Sequence, residues 1–289
     1  VSSFGMAVPL LLIFGATMGC IDVVVNIQAV IVEKAAGRRL MSGMHALWSV
    51  GGFAGAGLFG IWVGTFALTP LLSTIIAAAI MVLVTLAASR HLLPYGGDAG
   101  GKLLALPKGI VTFVGIIACI AFLVEGAIMD WGGVFLTTVR HFDMSLAGTA
   151  FTVFSAAMLT MRLFGDWTVQ KLGQERVVIG GSLLAVAGFL LVIFAAEPAL
   201  LYLGFFAIGI GCANVVPVFF SLLGKQRVMP VSLAVPAVST LGYLGILMGP
   251  AVIGFIAHQT SLYTAFGLLA FLVLLQSIIA AYVYRHILD

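Results

Sequence analysis

The groups in this chain that could do chemistry are few, and they lie where charge is expensive. Asp22 sits inside a long apolar run that ends only at Glu33-Lys34, and Glu125 and Asp130 sit inside another. Along a helix Asp22 lies roughly 16 Å before Glu33, about half of a hydrocarbon core of roughly 30 Å. A carboxyl at that depth costs at least about 2.5 kcal/mol unless it looks onto protein, water or a bound solute. Such a group can load and release a proton as its surroundings change. Proton carrying is therefore the chemistry expected of Asp22 and Glu125. Gly15, Gly19, Asp22 and Asn26 are spaced 4, 3 and 4 apart and share one helix face. Asp130 stands about 8 Å beyond Glu125 and on another face. Glu125 is thus expected in a cavity wall, and Asp130 with Trp131 near its outer mouth. Asn26, Gln28, His45, Trp48, Ser49, Ser239 and Tyr243 can add donors, acceptors and stacking surface. A wall of that mixture suits a polyol, with hydroxyls to pair and a C–H face to stack. Plainer roles compete: Asn26, Asn214 and Ser49 can bridge helices, His45 can cap its helix, and Trp131 can sit in an interfacial belt.

Composition fixes the class that must hold these groups. Hydrophobic residues make up 62% of the chain, charged residues 8%, and mean hydropathy is +1.24. A soluble domain carries roughly 25% charged residues, so this is an integral membrane protein. Cys20, Cys119 and Cys212 all fall in apolar runs and read as small packing residues. The formal net charge of +3 resides in loops and gives no reason to expect nucleic acid. No Gly-x4-Gly-Lys-Ser/Thr loop, Gly-x-Ser-x-Gly turn or metal-ligand spacing occurs. Neither an enzyme nor an ATP-driven pump is expected, and no cofactor beyond an ion gradient.

Nine membrane helices are predicted, over about 4–32, 43–66, 69–89, 109–137, 144–165, 176–196, 198–222, 231–257 and 261–284. Strand-like alternation is absent, so the fold class is all-α and polytopic. Lys34, Arg38, Arg39, Arg90, Lys102, Lys108, Lys171, Arg176, Lys225, Arg227 and Arg285 then fall on one side, leaving only Arg140 and Arg162 of the 13 basic residues. That asymmetry places the basic side and the C-terminus in the cytoplasm, in a plasma (bacterial inner) membrane. The stretch 89–108, with its Gly-Gly pairs and prolines, reads as a linker between three helices and six.

An internal repeat explains the division. Phe14-x4-Gly19-Cys20-x2-Val23-Val24 recurs as Phe206-x4-Gly211-Cys212-x2-Val215-Val216, and Ser49-x2-Gly52-Phe53-x-Gly55 as Ser239-x2-Gly242-Tyr243-x-Gly245. Two neighbouring helices recur together and in order, which indicates a six-helix unit. Residues 1–88 are then the last three helices of a first unit and 109–289 a complete second one, so three helices are expected to precede Val1. In this pairing Asn214 occupies the repeat position of Asp22, and the two are expected to approach a central cavity from opposite sides.

A doubled six-helix unit joined by a cytoplasmic linker resembles the major facilitator superfamily. The segment Arg162-Leu-Phe-Gly165-Asp166-x4-Lys171-Leu-Gly173-x2-Arg176 is similar to that superfamily's cytoplasmic signature, although Arg162 stands where a glycine is usual. The resemblance implies a cytoplasmic gate in which Asp166 pairs with Arg162 or accepts bonds from a neighbouring helix end. Gly19-Cys20-Ile21-Asp22-x3-Asn26 resembles the fucose–proton symporter pattern. Together with Met41-x2-Met44-His45-Ala46-Leu47-Trp48-Ser49-x-Gly51-Gly52 and Glu125-Gly-Ala-x2-Asp130-Trp131 it also resembles the MosC-like branch. These resemblances imply a monomeric secondary transporter working by alternating access, with proton-coupled movement of a sugar, polyol or inositol derivative. A drug–proton antiporter of the same fold and a non-transporting membrane sensor or scaffold are the alternatives.

Overall fold

The computed structural model describes residues 4–94 and 106–286, so most of the expected linker, 95–105 with Lys102, lies outside the described residues. The described chain is helical throughout, without strands. In order the helices are α1 (Phe4–Ala36), α2 (Met41–Gly64), α3 (Pro70–Ser89), α4 (Ile110–Val134, continued by a π turn Phe135–Val139), α5 (Thr149–Leu163), α6 (Gly165–Leu172), α7 (Gln174–Phe194), α8 (Pro198–Cys212), α9 (Val215–Leu223), α10 (Val231–Gln259) and α11 (Leu262–His286). Among the described residues nine segments are long and apolar enough to cross a membrane, with α8 and α9 forming one of them.

Several boundaries have visible causes. Thr69 caps α3, its hydroxyl accepting from the Leu72 amide at 3.3 Å, and Pro70 takes the first position, where no N–H is needed. Gly37, at φ +63°, supplies the left-handed residue that ends α1. Two expectations need correction. The predicted helix over 144–165 is a short 3-10 turn, Met144–Leu146, followed by α5, and the signature segment after it folds as the separate helix α6. The predicted helix over 198–222 breaks at Ala213–Asn214. The reason for the break is Pro217. It has no N–H to return to the carbonyl of Ala213, four residues earlier.

The helices from α4 onward form a dense bundle with two apolar cores. One, around Val111, Val114, Phe219, Phe220 and Leu223, lies toward the end bearing the basic loops. The other, around Phe135, Phe154, Phe189, Phe205 and Phe266, lies toward the opposite end. Of α1 to α3, only Ala29, Val30 and Met41 join a buried core, and it is the one at the basic end. Most side chains of these three helices are exposed, an arrangement that lipid tolerates and water does not. The two helix groups therefore touch at the basic end and part beyond it. There α1 (Gly15, Gly19, Val23) and α10 (Ser239, Tyr243) line an open cavity of about 480 Å³.

Inside the bundle, backbones approach through paired glycines, as close packing without a hydrophobic drive requires. A Cβ on Gly188 of α7 would stand 2.6 Å from the Gly204 carbonyl of α8, and one on Gly181 would stand 2.7 Å from that of Gly211. Gly188→Ala should therefore cost about 1–3 kcal/mol. Gly180→Ala on the same helix, where a Cβ meets nothing within 4 Å, should be neutral or slightly stabilising. Thermal unfolding in detergent, comparing the two variants, checks this.

Candidate functional site

Helix α2 begins without a side-chain cap of its own, because Leu40 holds the N-cap position. Its leading N–H groups would be orphaned in a membrane protein's seam. Two carboxylates take them. Glu33 Oε2 accepts from the amides of Leu40 and Met41, each at 2.9 Å. Asp166 Oδ1 and Oδ2 accept from Ser42 and Gly43 at 3.0 and 2.8 Å. The ordinary ladder starts only at Met44, whose N–H reaches Leu40 O at 3.0 Å. Both anions lie at the positive end of the helix dipole, so charge and hydrogen bonding act together.

Glu33 comes from the end of α1, folded back by the turn at Gly37. Asp166 comes from α6, in the other helix group. Small residues make the approach possible: a Cβ on Gly43 would stand 2.9 Å from Asp166 Oδ2, and one on Gly165 would meet Ser42 and Asn214. Glu33 also accepts a hydrogen bond from Ser221 of α9 and pairs with Arg39 at 3.8 Å. Arg39 in turn donates to Ser221 Oγ at 3.0 Å and Gln174 Oε1 at 3.2 Å. These contacts join the two helix groups at this end.

Deeper in the span lie the groups that could carry protons. Asp22 on α1 is partly buried, one helix turn before Asn26 and near Tyr243 of α10. The Asn26 amide also donates to the Asp22 carbonyl at 3.0 Å. Glu125 on α4 pairs with Arg162 of α5 at 3.7 Å. Arg162 is buried, at 5% exposure, yet each of its three nitrogens meets a polar partner. Its Nε donates at 3.1 Å to the Ala213 carbonyl that Pro217 leaves free, and its Nη1 donates to Ser49 of α2 at 3.3 Å. His45 bonds the Met41 carbonyl at 3.0 Å, packs beside Phe220 and faces Arg162.

The structure thus brings Asp22, Asn26 and Tyr243 together across the helix groups, and likewise Glu125, Arg162, Ser49 and His45. It does not bring in the rest. Trp48 is 57% exposed, Asp130 is exposed, and neither has a side-chain partner among the described residues. Trp131 is held by its indole N–H on the Pro250 carbonyl at 3.0 Å, as a helix bridge. Ser239, by contrast, lines the α1–α10 cavity beside Tyr243, buried and without a hydrogen-bond partner among the described residues. Asn214 does not face Asp22 across a cavity. The helix break lodges it, buried, against Gly165. Arg162 does not pair with Asp166, because α5 ends at Leu163 and α6 starts anew at Gly165, so the two are no longer one turn apart on a single helix. Lys171 and Arg176 are exposed, and Gly173, at φ +85°, makes the turn between α6 and α7. The second capping acid, Glu33, and the proline-freed carbonyl of Ala213 are features that the helical spacing alone does not announce.

Asp166→Ala should leave the Ser42 and Gly43 amides unpaired and cost about 1–3 kcal/mol. It should also loosen the seam. A cysteine placed at Val218, which is 3% exposed between α2 and α9, should react with maleimide faster in that background than in the parent.

The Major Facilitator Superfamily model matches residues 114–287. An uncharacterized MFS-type transporter of Yersinia pestis is 47% identical over 267 residues, covering 91% of this chain and 69% of the relative. Membrane protein MosC of Rhizobium meliloti is 28% identical over 258 residues, covering 87% of this chain and 62% of its own length. Among solved structures, the human organic anion transporter MFSD10 superposes with a TM-score of 0.52 at 18% identity, over 92% of this chain and 83% of that one. A fold of packed apolar spans latched between two helix groups and a close relative agree, and the chain belongs to the Major Facilitator Superfamily: it is a multi-pass membrane transporter of small solutes and not an enzyme.

Proposed function

We propose that the protein is a proton-coupled secondary transporter of a small polar solute such as a sugar, polyol or inositol derivative. The observation that carries this reading is the pair of carboxyls within the span, each meeting a partner that a proton would release. Protonating Asp22 removes the anion that Tyr243 and Asn26 attend. Protonating Glu125 frees Arg162 from its ion pair, while the Ala213 carbonyl and Ser49 still hold its Nε and Nη1. Each event changes a contact between helices, so the protonation state can bias which end is open. The partly buried hydroxyl, amide and carboxyl groups around Asp22 offer a hydroxylated solute paired donors and acceptors.

Basic loops face the cytoplasm by the positive-inside rule, so the latched end is the cytoplasmic one and the parted helices open outward. Transport then requires the α2 terminus to leave Asp166 as the outer cavity closes, a rocking of the two groups about the midplane. A second reading rests on Arg162. A buried guanidinium in the wall also suits an anionic solute, a carboxylate or phosphate ester, that would displace Glu125. The same cation weighs against efflux of cationic drugs.

In proteoliposomes, Asp22→Asn should abolish uptake driven by a pH gradient and spare solute exchange. Undiminished gradient-driven uptake would remove Asp22 from the mechanism. Competition by neutral polyols against organic anions separates the two solute classes. Inhibition by anions alone, lost in Arg162→Gln, selects the second.

A further inference from the structure

A cavity opens at the basic end, beside the latch, with which it shares Glu33, Arg39 and Ser221, and its lining includes neither Asp22 nor Glu125. Its volume is about 400 Å³, and Lys34, Arg38 and Arg39 from the α1–α2 turn line it together with Gln170, Ser221 and Lys225 from the other helix group. One acid, Glu33, shares the wall, and its oxygens are already engaged by two amides, Ser221 and Arg39. Among the described residues no carboxylate lies within 4 Å of Lys34, Arg38 or Lys225. Arg39 and Lys225 both donate to the same neutral oxygen, Gln174 Oε1, each at 3.2 Å. Burial, followed by the Arg39 charge, pushes the Lys225 ammonium below its ordinary pKa, against a smaller opposing pull from Glu33. The lining gathers four cations, three of them exposed, around one acid that is already engaged.

Topology alone does not ask for this. Positive loops orient a membrane protein wherever they point. Here cations from turns on the two helix groups converge on one concave space, walled where Val30 meets Gly224. We propose that this cavity binds a phosphate-bearing anion, which bridges Lys34 and Arg38 on one helix group to Lys225 on the other and holds the basic end closed. Multidentate guanidinium and ammonium donors are the recognition chemistry of phosphate. The source is either a soluble phosphate or the headgroup of an anionic lipid at the membrane surface. The site is independent of which solute is transported.

The test uses purified protein in nonionic detergent free of anionic lipid, with inorganic phosphate against sodium chloride at matched ionic strength. Phosphate at several times its Kd should raise the thermal midpoint by roughly 2–6 °C. Lys34→Gln/Lys225→Gln should cancel the shift, and Arg227→Gln, an exposed cation outside the lining, should keep it. If the double variant does not fold, each single variant should show at least a halved response. A parallel arm compares nanodiscs of phosphatidylcholine with nanodiscs that also contain phosphatidylglycerol. A phosphate shift in detergent identifies the soluble source. A shift seen only with phosphatidylglycerol, and cancelled by the same variants, identifies the lipid headgroup. No shift in either arm, a shift that survives in the lysine variants, or equal loss in Arg227→Gln overturns the site.

Discussion

The structure turns on the N-terminus of α2 and the two carboxylates that share it. Hydrogen bonds to charged groups contribute about 1.5–3 kcal/mol each, and the penalty for leaving a buried amide bare is of similar size. The two acids are not equivalent. Glu33 belongs to α1, joined to α2 by the short turn at Gly37, so it travels with the terminus it caps. Asp166 belongs to the other helix group. Separating the groups would break the bonds to Ser42 and Gly43 together with the Ser221, Gln174 and Ser49 contacts across the seam, while the Glu33 half of the terminus would stay satisfied. Ser42, Gly43 and Gly165 are small because nothing larger fits between the carboxylate and the helix it serves.

A second chain of dependence runs through the interior. Pro217 removes one helical hydrogen bond, the Ala213 carbonyl is left without a partner, and Arg162 takes it. Because that anchor and Ser49 hold the guanidinium, the ion pair to Glu125 is one of three contacts rather than the sole reason the charge is tolerated. A buried arginine with a single acidic partner would be stranded on protonation of that partner. Here the Ala213 carbonyl and Ser49 hold the guanidinium as well. The glycine-lined seams between α7 and α8 and between α4 and α10 pack this frame closely.

Much of this was readable in the sequence, for identifiable reasons. Uninterrupted apolar runs gave the spans to within a few residues, because lipid demands length and apolarity and little else. The acids at 22 and 125 announced themselves by their cost. The helix break did not, because the apolar run continues through it; Pro217 was the available signal, read through the carbonyl four residues before it. Arg162 was misplaced because i, i+4 spacing holds only on one helix, and a new helix starts at Gly165. Asn214 was misplaced by the same break, which turns it away from the face its repeat position implies. Glu33 left a faint trace: an acid just before a glycine turn, followed by a helix whose start has no capping residue.

The pairing of α4 with α10 has a consequence for how the chain is made. These two helices form the most extensive contact in the molecule, with Gly115 and Gly126 pressed against Leu241 and Ile246. During synthesis α4 enters the bilayer while α10 is still unmade. Glu125 meets its arginine when α5 emerges, so the acid is neutralised early, but the glycine face of α4 stays without its partner until five more helices have been translated. Nascent chains should therefore be most vulnerable to quality-control proteases in that interval, and slowing elongation just before α10 should lower yield more than slowing it just after.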